Sequence, residues 1–156
     1  MKIQIQRETL IEYEVDLENT TLLNVLNEIK TSQDNSLTYS SGCRSSVCGS
    51  CSMRANGTEV LACSYKVQDG DIIEPLKNVP VIRDLVVDMD RALSFNAKAK
   101  AWLGSLASGV SVSADNVKMN ELQSDCILCG SCYSACPVYA VNEDFLGPFS
   151  LTRVWK

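Results

Sequence analysis

Cys43, Cys48 and Cys51 stand in one short segment, Cys43-Arg44-Ser45-Ser46-Val47-Cys48-Gly49-Ser50-Cys51, and Cys63 follows after eleven intervening residues. This C-x4-C-x2-C…C order is the plant-type spacing for a 2Fe–2S cluster. Each iron of such a cluster is tetrahedral and shares two bridging sulfides, so the protein must supply four thiolates. Three come from a loop that wraps the cluster, and the fourth from an adjacent strand. Small residues between the ligands (Ser45, Ser46, Gly49, Ser50) let backbone N–H groups approach the sulfurs. Those hydrogen bonds stabilise the reduced cluster and raise its potential. Zinc or a pair of disulfides would be the plainer use of four cysteines, but zinc knuckles usually pair two short C-x2-C units.

The second group is Cys126-Ile127-Leu128-Cys129-Gly130-Ser131-Cys132-Tyr133-Ser134-Ala135-Cys136-Pro137. Its C-x2-C-x2-C-x3-C-P run is the bacterial-ferredoxin pattern for a 4Fe–4S cubane. Cys126, Cys129 and Cys132 wrap one cluster, whereas the cysteine before proline ligates a different one in proteins that carry the run twice. A zinc ribbon has no use for three ligands at x2 spacing with a trailing Cys-Pro. The cubane is therefore one ligand short if Cys136 faces elsewhere, because no cysteine follows it. Either Cys136 folds back to complete it, or the polypeptide is the front part of a longer one. Truncation is the expectation.

Composition bounds the rest. The 156 residues carry eight cysteines, no histidine and a net charge of −5, with 46% hydrophobic and 21% charged residues. That length suits one ordinary domain or two small ones. Without histidine, two-Cys two-His zinc fingers, Rieske centres, His-ligated haem and His-based acid/base pairs are all excluded. No basic block offers a footprint for nucleic acid. No apolar run approaches the roughly 18–20 residues that span a bilayer. Met1 to Gln6 alternates polar and apolar residues and lacks a signal peptide's apolar stretch. The chain is expected to be soluble and cytoplasmic, where clustered cysteines serve as ligands rather than disulfides.

The elements that must position these cysteines come next. Ile3 and Ile5, then Ile11, Tyr13 and Val15, alternate with polar residues about a turn at Arg7-Glu8-Thr9, which predicts a hairpin. Asn19-Thr20-Thr21 offers an N-cap for a helix whose leucines, Val25 and Ile29 share one face. Asn56-Gly57 predicts a tight hairpin between Met53–Ala55 and Thr58–Leu61. Gln68 to Asp71 is a turn before a short strand at Ile72-Ile73. Together these make a compact α+β domain over residues 1–80. After Pro80, Ile82, Leu85, Val86, Met89 and Leu93 fall three to four apart, which predicts a helix continuing through Ala97, Ala99, Ala101, Trp102 and Leu103. Gly104 to Ser113 reads as a linker. Trp102 and Tyr133 read as packing residues.

A plant-type 2Fe–2S segment followed by a bacterial-type cubane run resembles the iron–sulfur subunit of succinate dehydrogenases and fumarate reductases. The resemblance extends from Cys43 through Ser52-Met53, takes in Ile82-Arg83-Asp84-Leu85-Val86-Val87-Asp88, and runs from Cys126 to Phe145-Leu146-Gly147-Pro148. It implies a β-grasp ferredoxin domain followed by an incomplete α-helical ferredoxin domain over residues 81–156. It implies Cys43, Cys48, Cys51 and Cys63 as ligands of a 2Fe–2S cluster, Cys126, Cys129 and Cys132 of a 4Fe–4S cluster, and Cys136 of a 3Fe–4S cluster. The further ligands of the last two are missing here. It also implies an FAD-containing flavoprotein partner, membrane anchor subunits, a quinone, and a peripheral place on the inner face of the cell membrane. Ser46 stands where the family often has glycine or alanine. Val138-Tyr139-Ala140-Val141 has no tryptophan after Cys136-Pro137, which looks more like the fumarate reductase branch.

No G-x-G-x-x-G and no P-loop is present, so no flavin or nicotinamide site is visible and the organic step belongs to a partner. The alternatives are a free ferredoxin-like carrier, the equivalent subunit of a related respiratory oxidoreductase, and a zinc-structured adaptor.

Overall fold

The computed structural model describes residues 1–102, 109, 111 and 113–155. Strands β1 (Lys2–Gln6) and β2 (Leu10–Glu14) form the expected hairpin, with Ile3 opposite Tyr13 and Ile5 opposite Ile11. Period-2 alternation turns Ile3, Ile5 and Tyr13 inward. Helix α1 (Leu22–Ser32) adds Leu22, Leu23, Val25, Leu26 and Ile29 to the same core, so one apolar stripe meets one apolar sheet face. Thr21 is its N-cap, although the Thr21 hydroxyl makes no capping bond. Asn56 and Gly57, at φ 51° and 79°, close the tight turn between β3 (Ser52–Ala55) and β4 (Thr58–Leu61). Strand β5 (Ile72–Glu74) enters the middle of the sheet, giving the order β2-β1-β5-β3-β4. It pairs parallel to β1, with Gln4 beside Ile72, and antiparallel to β3. A five-stranded mixed sheet with one helix packed on it is the expected β-grasp.

The helix expected from Ile82 does not form. Val81–Arg83 (β6) and Val86–Val87 (β7) instead make a small antiparallel hairpin. Asp84 at its tip has a left-handed φ of 49°, which no helix tolerates. β-Branched Val81, Ile82, Val86 and Val87 dominate both arms, and the three-to-four spacing arises by coincidence: Ile82 is 67% exposed while Leu85 is 3%. Leu85 joins the first core. Helix α2 (Asp90–Lys98) starts later and ends sooner than expected, because Lys100 adopts φ 52° and breaks the winding. Trp102 does not pack as expected; it is 62% exposed. Leu103 and most of the expected Gly104–Ser113 linker lie outside the described residues.

Short helices follow: α3 (Ala114–Met119), α4 (Glu121–Ser124), α5 (Ser131–Ser134), α6 (Pro137–Val141) and α7 (Pro148–Trp155). Helices α5, α6 and α7 join α2 in a second core of Ala92, Phe95, Tyr133, Tyr139 and Phe149, to which α3 and α4 add no buried residue. Tyr133 is its centre, edge-on to Tyr139 at 4.6 Å and to Phe149 at 4.4 Å between ring centroids. The packing role read for Tyr133 holds.

The hairpin tip is tied down by Arg7. Its Nε donates to Asp84 Oδ1 at 2.8 Å and its Nη1 pairs with Asp34. Thr38 N–H donates to the other Asp84 oxygen at 2.8 Å. The Ser36 and Tyr13 hydroxyls hold the Asp34 carboxyl down to about 2. Burial works against Asp84, but Arg7 and the Thr38 N–H prevail and keep it below the usual carboxylate range. A depressed carboxyl stabilises the fold fully above its unfolded value, roughly 3.9, and loses that contribution as pH falls through the folded value. Stability should therefore decline from about pH 4 towards pH 2. Arg7→Met should cost roughly 3 kcal/mol at neutral pH by stranding Asp84, and should flatten the acid decline. Urea unfolding across this pH range measures both; an unchanged midpoint at pH 7 would contradict the assignment.

Candidate metal centre

The first cysteine loop leaves the core at Leu37 and re-enters it at Cys51, both buried. Between them Arg44, Ser46 and Gly49 adopt φ values of 59°, 61° and 72°. Left-handed residues alternating with ordinary ones turn successive N–H groups to one side, the concave geometry that receives negative charge. Ser45 and Val47 N–H each donate to Cys43 Sγ at 3.3 Å, and Cys43 N–H donates to Cys48 Sγ at 3.3 Å. Cys63 arrives from the turn after β4, which Ala62 N–H fastens to the Cys51 carbonyl at 3.0 Å.

The four thiols fall into two neighbouring pairs, Cys43 with Cys48 and Cys51 with Cys63. Serine hydroxyls face one sulfur of each pair: Ser50 Oγ lies 3.0 Å from Cys48 Sγ, and Ser46 Oγ 3.5 Å from Cys63 Sγ. The Ser50 hydroxyl and then the Cys43 N–H bring the Cys48 thiol down to about 6. The Ser46 hydroxyl lowers Cys63, whereas burial raises Cys51. Among the described residues no three Cys, Asp or Glu side chains converge on a single ion position. Two pairs, rather than one knot of four, is the donor arrangement that two irons require and a lone zinc does not. The residues fit a 2Fe–2S cluster.

The second loop places Leu128 at φ 57° and Gly130 at φ 83°, the latter at the start of α5. Cys132 reaches solvent, yet the protein packed around its sulfur and then the neighbouring Cys129 push its thiol up, with Cys126 adding to this. Cys136 is the N-cap of α6, and its Sγ accepts from Tyr139 N–H at 3.4 Å. The fit to a cubane is partial: Cys126 and Cys129 lie in the loop and Cys132 in α5, while Cys136 is engaged at the start of α6.

The two loops touch. A Cβ added to Gly49 would lie 2.8 Å from Cys129 Cα and Cβ and 2.9 Å from the Ile127 carbonyl oxygen. Beside this contact a cavity of about 250 Å³ is lined by Cys48, Leu76, Met89, Leu128 and Cys129 among others. Ser52 and Ser131 hydroxyls meet across the boundary at 2.9 Å, and Ser131 Oγ is 3.4 Å from Cys129 Sγ.

A further clamp escaped the sequence reading. Asn78 Nδ2 donates to the carbonyls of Ser134, Cys136 and Tyr133 at 2.8, 3.4 and 3.5 Å. Buried Ser134 accepts from Lys77 N–H at 2.8 Å and donates to Glu59 at 2.7 Å. Only the serine's place inside the cysteine run hinted at it; nothing in the spacing marks Asn78 or Glu59. Ser134→Ala removes the hydroxyl that bridges the part-buried Lys77 N–H and Glu59 carboxylate, which should cost roughly 1 kcal/mol. Thermal unfolding measures the loss, and limited proteolysis should nick the second cysteine loop sooner; wild-type behaviour in both would contradict the clamp.

Comparison with known proteins places these observations. The 2Fe-2S iron-sulfur cluster binding domain family matches residues 2–94, and the 4Fe-4S binding domain family matches residues 122–142. The chain is 37% identical to the 8-methylmenaquinol:fumarate reductase iron-sulfur subunit of Wolinella succinogenes, over 90% of this chain and 49% of the relative. It is 35% identical to the fumarate reductase iron-sulfur subunit of Haemophilus influenzae, covering 97% and 67%. It is 37% identical to a mitochondrial succinate dehydrogenase [ubiquinone] iron-sulfur subunit of Oryza sativa, covering 91% and 55%. The chain thus spans between about half and two thirds of these relatives' lengths. A chain of the Mycobacterium smegmatis Sdh1 complex superposes with a TM-score of 0.80 at 26% identity, covering 95% of this chain and 70% of that one.

Proposed function

Since the chain belongs to the family of iron–sulfur subunits of fumarate reductases and succinate dehydrogenases, we propose that it relays single electrons between an FAD-containing flavoprotein and a membrane quinone. The observation that carries this reading is the contact of the two cysteine loops at Gly49 and Cys129, with two thiol pairs beside it. Cys43, Cys48, Cys51 and Cys63 hold a 2Fe–2S cluster. Cys126, Cys129 and Cys132 supply three ligands of a 4Fe–4S cluster, and Cys136 one ligand of a 3Fe–4S cluster. When bound, such clusters take up and release one electron at a time, with no atom transferred.

The chain's own residues do the rest. The N–H groups of Cys43, Ser45 and Val47 stabilise negative charge on sulfur. Leu76, Met89 and Leu128 line the apolar side of the cavity between the loops, and Ser40, Ser50 and Ser52 its polar side. Residues 1–80 and 81–156 make up the two domains, the β6–β7 hairpin of the second stretch being docked on the first core through Leu85, and the clamp at Asn78 and Ser134 joins them. Among the described residues no helix is long and apolar enough to cross a membrane; membrane anchor subunits hold the protein peripherally on the cytoplasmic face.

Anaerobic purification with iron and acid-labile sulfide analysis, EPR, and co-purification with the family's flavoprotein subunit test the proposal. A brown protein that binds the flavoprotein is expected. A colourless product with stoichiometric zinc would overturn the cluster reading. A cluster-bearing monomer that never binds the flavoprotein would favour the free carrier.

A further inference from the structure

Ser46 holds a left-handed φ of 61°, a conformation that glycine adopts freely and other residues adopt against steric resistance. The turn therefore gains nothing in backbone terms from a side chain there. What serine adds is a hydroxyl, and that hydroxyl lies 3.5 Å from Cys63 Sγ. Ser50 repeats the arrangement at 3.0 Å from Cys48 Sγ. Among the described residues neither hydroxyl has another hydrogen-bond partner. Because Cys63 pairs with Cys51 and Cys48 with Cys43, the two hydroxyls are shared out one to each pair.

A cluster-bound sulfur carries no hydrogen, so in the loaded protein each hydroxyl must be the donor. One-electron reduction deepens the negative charge on the ligand sulfurs, and a donor at sulfur favours that state. We propose that Ser46 and Ser50 are potential-setting residues, each donating an O–H···S bond to one thiolate of its ligand pair and raising the reduction potential of the 2Fe–2S centre. These side-chain donors act in addition to the backbone N–H groups. The inference rests on the proposed 2Fe–2S reading.

EPR-monitored titration decides it, with dithionite supplying one electron per cluster and itself going to sulfite. The whole 156-residue chain is compared with its Ser46→Gly, Ser46→Ala and Ser50→Ala variants. Each variant should be less reduced at a fixed ambient potential, by roughly tenfold in the reduced-to-oxidised ratio, a downward shift of about 59 mV for one electron. Pulsed EPR in D2O should lose one exchangeable deuteron coupling per hydroxyl removed, a change that a purely structural role would not produce. Ser46→Gly relieves the strained φ, so misfolding cannot account for its shift, and it decides the matter if Ser50→Ala loads poorly. An unchanged potential in Ser46→Gly, with a wild-type spectrum, overturns the inference while leaving the cluster reading intact. Absence of any 2Fe–2S spectrum in the wild type overturns both.

Discussion

Cys63→Ser should abolish nearly all of the 2Fe–2S EPR signal, whereas Cys136→Ser should leave it at the wild-type level. Cys63 lies outside the wrapping loop and reaches Cys51 only because Ala62 is fastened to the Cys51 carbonyl. No other cysteine of the first group can replace it, since Cys43 and Cys48 form the opposite pair. A serine oxygen is a harder and shorter ligand than thiolate, and it does not suit iron in a sulfide-bridged cluster. Cluster binding also supports the folded loop, so the variant should unfold at a lower temperature than the loaded wild type. Iron content and EPR measure the first effect and calorimetry the second. Full iron content with an unaltered spectrum in Cys63→Ser would contradict the ligand assignment.

Gly49→Ala should separate the two cysteine loops. The added methyl meets Cys129 backbone at 2.8 Å and the Ile127 carbonyl at 2.9 Å, neither of which is the movable end of a side chain. The residue is also held at φ 72°, where an L side chain is strained. Strain and overpacking together should cost roughly 2–5 kcal/mol. That energy acts on the contact rather than on either core, because Gly49 belongs to neither. Cys129 should therefore alkylate faster in the cluster-free variant, by tenfold or more if about 1.4 kcal/mol of the cost falls on opening the contact. Mass spectrometry of iodoacetamide-treated protein reads the rate. In the proposed electron relay the same change should slow electron passage between the domains while 2Fe–2S content stays high. Wild-type alkylation kinetics would show that the loops do not rely on this contact.

The contact at Gly49 also marks a limit of sequence reading. The spacing of Cys43, Cys48 and Cys51 announces a wrapping loop because three ligands so close together cannot all face one centre otherwise. A glycine between two of them reads as room for N–H groups, and that reading is incomplete: Gly49 is small because Cys129, eighty residues away in sequence, lies against it. The hydroxyls of Ser46 and Ser50 read as small spacers, yet they face sulfur. The segment 81–93 read as a helix because its apolar spacing happens to match 3.6. Arg7 decides otherwise by holding Asp84 at a left-handed tip. Trp102 read as packing because large aromatics usually bury themselves; an early helix end left it in solvent.

The sequence by itself determined what depends on near neighbours. The β1–β2 hairpin follows from alternation, the Asn56-Gly57 turn from two residues that tolerate positive φ, and helix α1 from one apolar stripe. The two candidate ligand sets follow from cysteine spacing, and the family resemblance from that spacing together with segments such as Ile82–Asp88 and Phe145–Pro148. The tertiary structure decided what depends on distant partners. It placed β5 parallel to β1 at the centre of the sheet, sorted four thiols into two pairs, locked Asn78 and Ser134 across the boundary, and brought Gly49 onto Cys129. The reason is physical: loop closure over a few residues is encoded in conformational preference, whereas contacts across tens of residues exist only once burial of both cores has brought their backbones together.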